Sequence, residues 1–433
     1  MSRLHPMIAR LHRNRFIARI ARAGLGAAMA ALLAPAAALH AQTTAITNAR
    51  IHTISGPTIE NGTIVIRNGR IAAVGADVEV PENARVIDGT GKVVTPGFLD
   101  ASTSLGIVEI GGVSGTNDAA TSNDRLTAAF NVADALNPRA TAIPVTRVEG
   151  ITRAVVVPGG FQSILRGQGV LIHLDGLRAD EMIVRNPVGV YVTLGEAGAG
   201  RAGGSRAAAM LLLREALQDA RDYASNRNAF QQGNRREYAL SRLDLEALQP
   251  VLRREVPLIV TVNRASDIMN ALHFARQENV RIILSGVEEG WMVADELASA
   301  DVPVIINSMN NIPGFDNLGA TLENAARLHA AGVTVMLSSF DGSNVRNLRQ
   351  VAGNAVSYGL PHDAALAAVT QAPARVFGIA DRYGTLEVGQ DADVVVWSGD
   401  PFEFTTSADY VFIRGHEQIR DTRQQQLFER YRN

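Results

Sequence analysis

Cysteine is absent from the 433 residues. That removes disulfides, thiolate metal sites, cysteine nucleophiles and a lipidated N-terminal cysteine together. Lysine is nearly absent: Lys92 is the only one, so no Ser-x-x-Lys nucleophile can be built. The histidines include no His-x-His pair, and no Gly-x-Ser-x-Gly elbow occurs. Beyond the first forty residues no run is long and apolar enough to span a bilayer. What remains is ordinary for a globular chain, with 46% hydrophobic and 19% charged residues.

Residues 1–41 carry Arg3, Arg10, Arg13, Arg15, Arg19 and Arg22 and no acid. An Ala/Leu-rich run from 24 to 39 follows, and Ala41 precedes Gln42. A basic start, a short apolar run and a small residue at the cut read as an export signal. The run is about 16 residues, short of the roughly 20 that cross a bilayer. A retained N-terminal anchor is the alternative, and Leu39 three residues before the cut leaves the cleavage point open. The expectation is a secreted, periplasmic protein with no membrane attachment after cleavage. Without this segment 35 basic residues face 43 acidic ones, a formal charge of −8 in place of −2. No net positive charge is left to displace counterions, so nucleic acid is not an expected partner.

The mature start, residues 42–95, reads as short strands and turns. Asn68-Gly69 between two β-type runs is a hairpin signal. Residues 381–433 have the same texture, with β-rich runs at 392–397 and 410–414. Two β-rich ends around an α/β middle suggest one small β-sandwich made from both termini. The middle, 96–380, holds apolar runs at 97–101, 152–157, 170–174, 188–194, 258–262, 280–284, 302–306 and 333–337. Apolar runs separated by helical stretches indicate a parallel sheet. About eight runs fit a closed (β/α)8 TIM-like barrel of roughly 250 residues; a doubly wound open sheet is the alternative. Strand identity between 150 and 195, where runs crowd together, is left open. The Gly-rich piece 195–204 opens a helical insertion to about 254, read equally as a lid over the barrel mouth or as a surface excursion.

Residues 94–106 read Val-Thr-Pro-Gly-Phe-Leu-Asp-Ala-Ser-Thr-Ser-Leu-Gly. This resembles the first barrel strand of the amidohydrolase superfamily, whose pattern is Pro-Gly, two hydrophobic residues, then Asp-x-His-x-His. Gly384–Val396 (Gly-Thr-Leu-Glu-Val-Gly-Gln-Asp-Ala-Asp-Val-Val-Val), Gln371-Ala372-Pro373-Ala374-Arg375, Asn344–Arg349 and Gly167-Gln168-Gly169 carry the same resemblance, to the imidazolonepropionase-like branch. It runs from about 45 to 420. The resemblance implies metal ligands at the C-terminal strand ends. These are two histidines after strand one, a carboxylated lysine or glutamate near strand four, histidines after strands five and six, and an aspartate after strand eight. Aligned by motif, the first pair is Ser102 and Ser104. The fifth segment reads Thr261 and Asn263, the sixth Ser285, and the eighth places Phe340 at the aspartate with Asp341 one residue on. The lone lysine precedes strand one, which excludes a lysine carbamate.

A serine hydroxyl is a far weaker metal ligand than imidazole. The expectation is therefore no metal and no cofactor, with the vacated pocket lined by Ser102, Ser104, His173, Tyr191, Thr261, Asn263, Ser285, Phe340 and Asp341. His173 is the only histidine near a strand end. No catalytic residue is assigned. Two weaker chemistries are an oxygen-only metal site (Asp100, Glu109, Glu196, Asp341) and a serine nucleophile paired with Asp341 or His173. Gly159-Gly160 and Gly167-Gln168-Gly169 fit no phosphate-binding fingerprint and are read as turns. The expected function is a pseudoenzyme: a non-catalytic subunit or scaffold, paired with an active amidohydrolase paralogue or with itself. A hydrolase of C–N bonds with an altered site and a periplasmic small-molecule binding protein are the alternatives.

Overall fold

The computed structural model describes residues 43–111, 113–160, 162–234, 236–419 and 422–432. The expected export signal, residues 1–41, lies outside the described residues. Among those described, no helix is long and apolar enough to cross a membrane.

Each of the eight apolar runs becomes a strand of one sheet. After five N-terminal strands, β1 (Thr44–Ile51), β2 (Ile59–Arg67), β3 (Arg70–Gly75), β4 (Arg85–Asp88) and β5 (Val93–Pro96), come β6 (Phe98–Thr103), β7 (Ile151–Val156), β8 (Leu165–His173) and β9 (Ile183–Thr193). Then follow β10 (Leu258–Val262), β11 (Ile282–Gly286), β12 (Val304–Ile306) and β13 (Val335–Leu337). Strands β6 to β13 are ladder neighbours in chain order, which is the wall of a barrel. One face of each strand supplies the interior: Leu99, Val155, Leu171, Tyr191, Ile259, Ile283, Ile305 and Met336 form a single apolar cluster. Ala372, Ala374, Phe377, Ile379 and Tyr383 belong to the same cluster and floor it. The opposite faces pack against the helices.

The expectation of a wholly parallel barrel needs one correction. β8 runs antiparallel to both β7 and β9. Fewer than a dozen residues separate β7 from β8 and β8 from β9. A parallel connection needs a dozen or more, so the chain can only turn back. Gly167 and Gly169 consequently lie inside β8, not in a turn. Gly167 has φ +120°, and a Cβ there would stand 2.2 Å from the Phe130 carbonyl oxygen.

The helix Arg206–Ser225 is not a lid. Ser205 caps it by accepting from the Ala208 amide, and Ala209, Leu213, Ala216, Leu217, Ala220 and Tyr223 make a buried stripe at helical spacing. That stripe joins the cluster behind the barrel wall.

The chain's two ends share a second sheet. β5 pairs antiparallel with β14 (Val394–Trp397), Val94 opposite Val396, and parallel with β1. β15 (Ala408–Ile413) and β16 (His416–Glu417) extend it. Ile46, Ile51, Ile64, Ile66, Val94, Val394, Val396 and Phe412 form one buried cluster, so neither end has a core without the other. Asn68 and Gly69, both at positive φ, close the β2–β3 hairpin. A buried charge cluster ties barrel to sheet: Arg153 of β7 donates to Asp391 at 3.1 Å and to Asp393 at 2.9 Å.

Candidate functional site at the barrel mouth

Side chains alternate along a strand, so the residue two beyond each interior one faces the same way. Two beyond Tyr191, Ile259, Ile283, Ile305 and Met336 stand Thr193, Thr261, Ser285, Asn307 and Ser338. All but Thr261, which is half-buried, are buried. A polar layer of hydroxyls and an amide thus lies above the apolar floor. Thr193, Asn307 and Ser338 belong to it but are missing from the sequence-derived pocket. The period-two pattern of the apolar runs, extended by one step, was the signal that could have found them.

β6 reaches this layer through a bulge: Asp100 lies opposite Ala154 and Thr103 opposite Val156, leaving two residues against one. Asp100 is wholly buried. It accepts from the Ser102 amide (3.0 Å), the Ser338 hydroxyl (2.6 Å), the Ser339 amide (3.0 Å) and the Ser339 hydroxyl. Burial pushes its pKa up to about 6, against the pull of those four donors. The carboxylate is a clasp joining strand one to strand eight, which fits its reading as a backbone-bonded group and leaves it no free oxygen for a metal.

The other sequence-derived residues fare differently. Ser102 is buried, and its carbonyl accepts from Ser338. The Ser104 hydroxyl packs on Gly342, where a Cβ would meet it at 2.3 Å. Thr261 accepts from Arg166 Nη1 at 3.3 Å. Asn263 Oδ1 is buried with no partner, and Gly286 makes room for it. Tyr191 is buried, its hydroxyl also unpartnered. Phe340 sits in the left-handed region at φ 53° and is 37% exposed, so its ring does not fill the barrel. Asp341 closes a turn, its Oδ1 accepting the amides of Ser343 (2.7 Å) and Asn344 (3.0 Å). Burial raises its pKa, but the amides of Asn344, Ser343 and Gly342 outweigh that and hold it below the usual carboxylate value.

His173 does not belong to the pocket. Because β8 is reversed, its C-terminal residue lies at the barrel base, opposite Arg153 near the start of β7. There His173 meets Arg414 at 3.2 Å and accepts from the Asp175 amide at 3.3 Å. The same reversal brings the N-terminal end of β8, with Arg166, to the mouth. Glu196 lies in an acidic group outside the layer, sharing Arg206 with Asp267 and Asp316. Glu109 accepts from Asn137 instead.

Comparison with known proteins fits this architecture. The amidohydrolase family model matches residues 213–422. A solved amidohydrolase from Thermotoga maritima MSB8 superposes with a TM-score of 0.79 at 27% identity, over 87% of this chain and all of that one. The chain belongs to the amidohydrolase superfamily. Amidohydrolase tasK of Hapsidospora irregularis is 27% identical over 403 residues, 83% of this chain. The chain spans about two fifths of that relative's length. Phenylurea hydrolase B, at 17% identity and a TM-score of 0.55, shares the fold.

For an amidohydrolase the donor set is wrong. The aligned ligand positions offer Ser102, Ser104, Thr261, Asn263 and Ser285, and the nearby carboxylates are spent on a clasp and a turn. Among the described residues no three of His, Cys, Asp and Glu come together as a metal site. Thr261, at the strand-five position, faces a guanidinium, which would repel a divalent cation.

Glu288, just after β11, titrates unusually. Burial, then Asp316, then Glu289 push its pKa up to about 7. An acid raised in the folded state binds its proton more tightly there than when unfolded. Stability should therefore fall as pH rises from about 4.5 through 7. Glu288→Gln keeps an acceptor for Asn317 and removes the charge. It is expected to stabilise the protein at pH 8 by on the order of 1 kcal/mol, allowing for partial exposure, and not at pH 4. Urea unfolding at both pH values measures this; an equal gain at both would refute it.

Proposed function

We propose that this chain is a non-hydrolysing amidohydrolase, exported from the cytoplasm, that serves as a metal-free subunit or scaffold beside an active amidohydrolase. The polar layer carries the reading: hydroxyls and an amide stand at every alignable histidine position and Phe340 at the aspartate position, and none can supply an imidazole or a free carboxylate. The export segment 1–41 supports the location. A 52-residue match at 44% identity to a Geobacillus imidazolonepropionase supports placement in that branch.

Metal analysis of the purified mature protein after dialysis tests the proposal, with a co-purification screen beside it. The expected result is well under one equivalent of zinc and an amidohydrolase paralogue that co-elutes. One equivalent of zinc that survives dialysis, and is lost in Ser102→Ala, would overturn it.

A further inference from the structure

Two arginines at the mouth are held by carbonyls and a hydroxyl, not by carboxylates. Arg166 donates from Nε to the Gly159 carbonyl at 2.8 Å, from Nη1 to Thr261 Oγ1 at 3.3 Å and from Nη2 to the Pro158 carbonyl. Arg201 donates from Nη2 to the Gly160 carbonyl at 2.9 Å, while its Nη1 is buried with no partner. Two guanidiniums thus hang on three consecutive carbonyls. Among the described residues neither has a carboxylate within ion-pair distance. Some arginines elsewhere meet carboxylates, Arg153 two aspartates, Arg206 three acids and Arg349 a glutamate, while Arg147 and Arg185 also donate to carbonyls.

The surroundings are also short of partners. The Tyr191 ring lies 5.9 Å from the Arg166 guanidinium carbon. The Tyr191 and Thr193 hydroxyls are both buried and unpartnered. An unpaired polar group in such a place costs about 1–3 kcal/mol, and an unpaired charge more. Burial lowers the Arg166 pKa to about 10, Tyr191 opposes the shift and Arg201 adds to it, so the group stays a cation at neutral pH. Arg201 Nη1 lacks an acceptor and the Tyr191 and Thr193 hydroxyls can each donate to one, whereas the unpartnered Asn263 Oδ1 would take a donor.

We infer that the barrel mouth is a receptor site for a small molecule bearing a carboxylate, held by Arg166 with Arg201, Tyr191 and Thr193 as further donors. The inference rests on the metal-free reading above, since the cation stands at the strand-five ligand position. A planar carboxylate matches the fork of a guanidinium, and its charge balances the pair.

Thermal unfolding of the mature full-length protein, at constant ionic strength to cancel screening, tests this. Glutarate is the probe, glutaramide its uncharged counterpart, and inorganic phosphate the competing oxyanion. Glutarate is expected to raise the midpoint saturably and glutaramide to leave it unchanged. Arg166→Gln should weaken glutarate binding at least tenfold, whereas Arg276→Gln, an exposed arginine at a helix end away from the mouth, should not. If Arg166→Gln fails to fold, Tyr191→Phe carries the test. It removes an unpartnered hydroxyl, so the ligand-free protein should be as stable or more so, while glutarate affinity falls several-fold. Equal responses to glutarate and glutaramide, unchanged affinity in a folded Arg166→Gln or in Tyr191→Phe, or stabilisation by phosphate alone would each overturn the inference. Zinc measured on the same samples separates the failures. Bound zinc sinks the metal-free reading, whereas a zinc-free protein indifferent to glutarate sinks only this one.

Discussion

Arg153→Met is expected to lower the unfolding free energy by about 3–5 kcal/mol, the range for removing one partner of a buried ion pair. Arg153 is 2% exposed, and its guanidinium joins Asp391 and Asp393 while lying 4.5 Å from the Tyr383 ring centre. The methionine fills similar volume but leaves two carboxylates facing it. Asp391 keeps Arg382, whereas Asp393 keeps only the Arg414 amide among the described partners. Adding Asp393→Asn should therefore recover part of the loss. Urea unfolding of the single and double variants checks both expectations. A single-variant loss below 1 kcal/mol would mean that water reaches the cluster and the pair is not what joins barrel to sheet.

Deletion of residues 384–433 should have a still larger effect and leave no cooperative transition. It removes β14, the antiparallel partner of β5, and with it Val394, Val396, Trp397 and Phe412, all nearly or wholly buried. It also strips Arg153 of both aspartates. An isolated N-terminal remnant of this sheet has too little apolar face to hold together. Circular dichroism and a thermal scan decide the matter; a truncated chain that melts at the full-length temperature would refute the shared-core account.

The barrel strands were legible because each is an apolar run of strand length, and the composite sheet because both ends carry short β-rich runs and turns around an α/β middle. The reversal of β8 was not legible from the runs alone: twelve residues separate those at 152–157 and 170–174, and only the extension of β8 back to Leu165 cuts the connection to eight, too few for a parallel crossover. Missing the reversal put His173 at the wrong end of the barrel and left Arg166 unnoticed. Other parts of the site were not legible either. The bulge in β6 that turns Asp100 into a clasp depends on pairing with β7. That Arg166 lacks a counter-charge depends on which acids fold elsewhere: Asp267 and Asp316 go to Arg206, and Asp391 and Asp393 to Arg153.

The pairing of β5 with β14 has a consequence for the order of events on the ribosome. The two strands are separated by about 300 residues, which at roughly 5–20 residues per second takes on the order of 15–60 s to synthesise. Throughout that interval β5 has one edge without its neighbour, and the apolar face of β1 and β2 has no cover. Open strand edges invite pairing with other chains. The nascent protein is therefore open to aggregation until β14 has been made, and a holding chaperone would protect it over that whole interval.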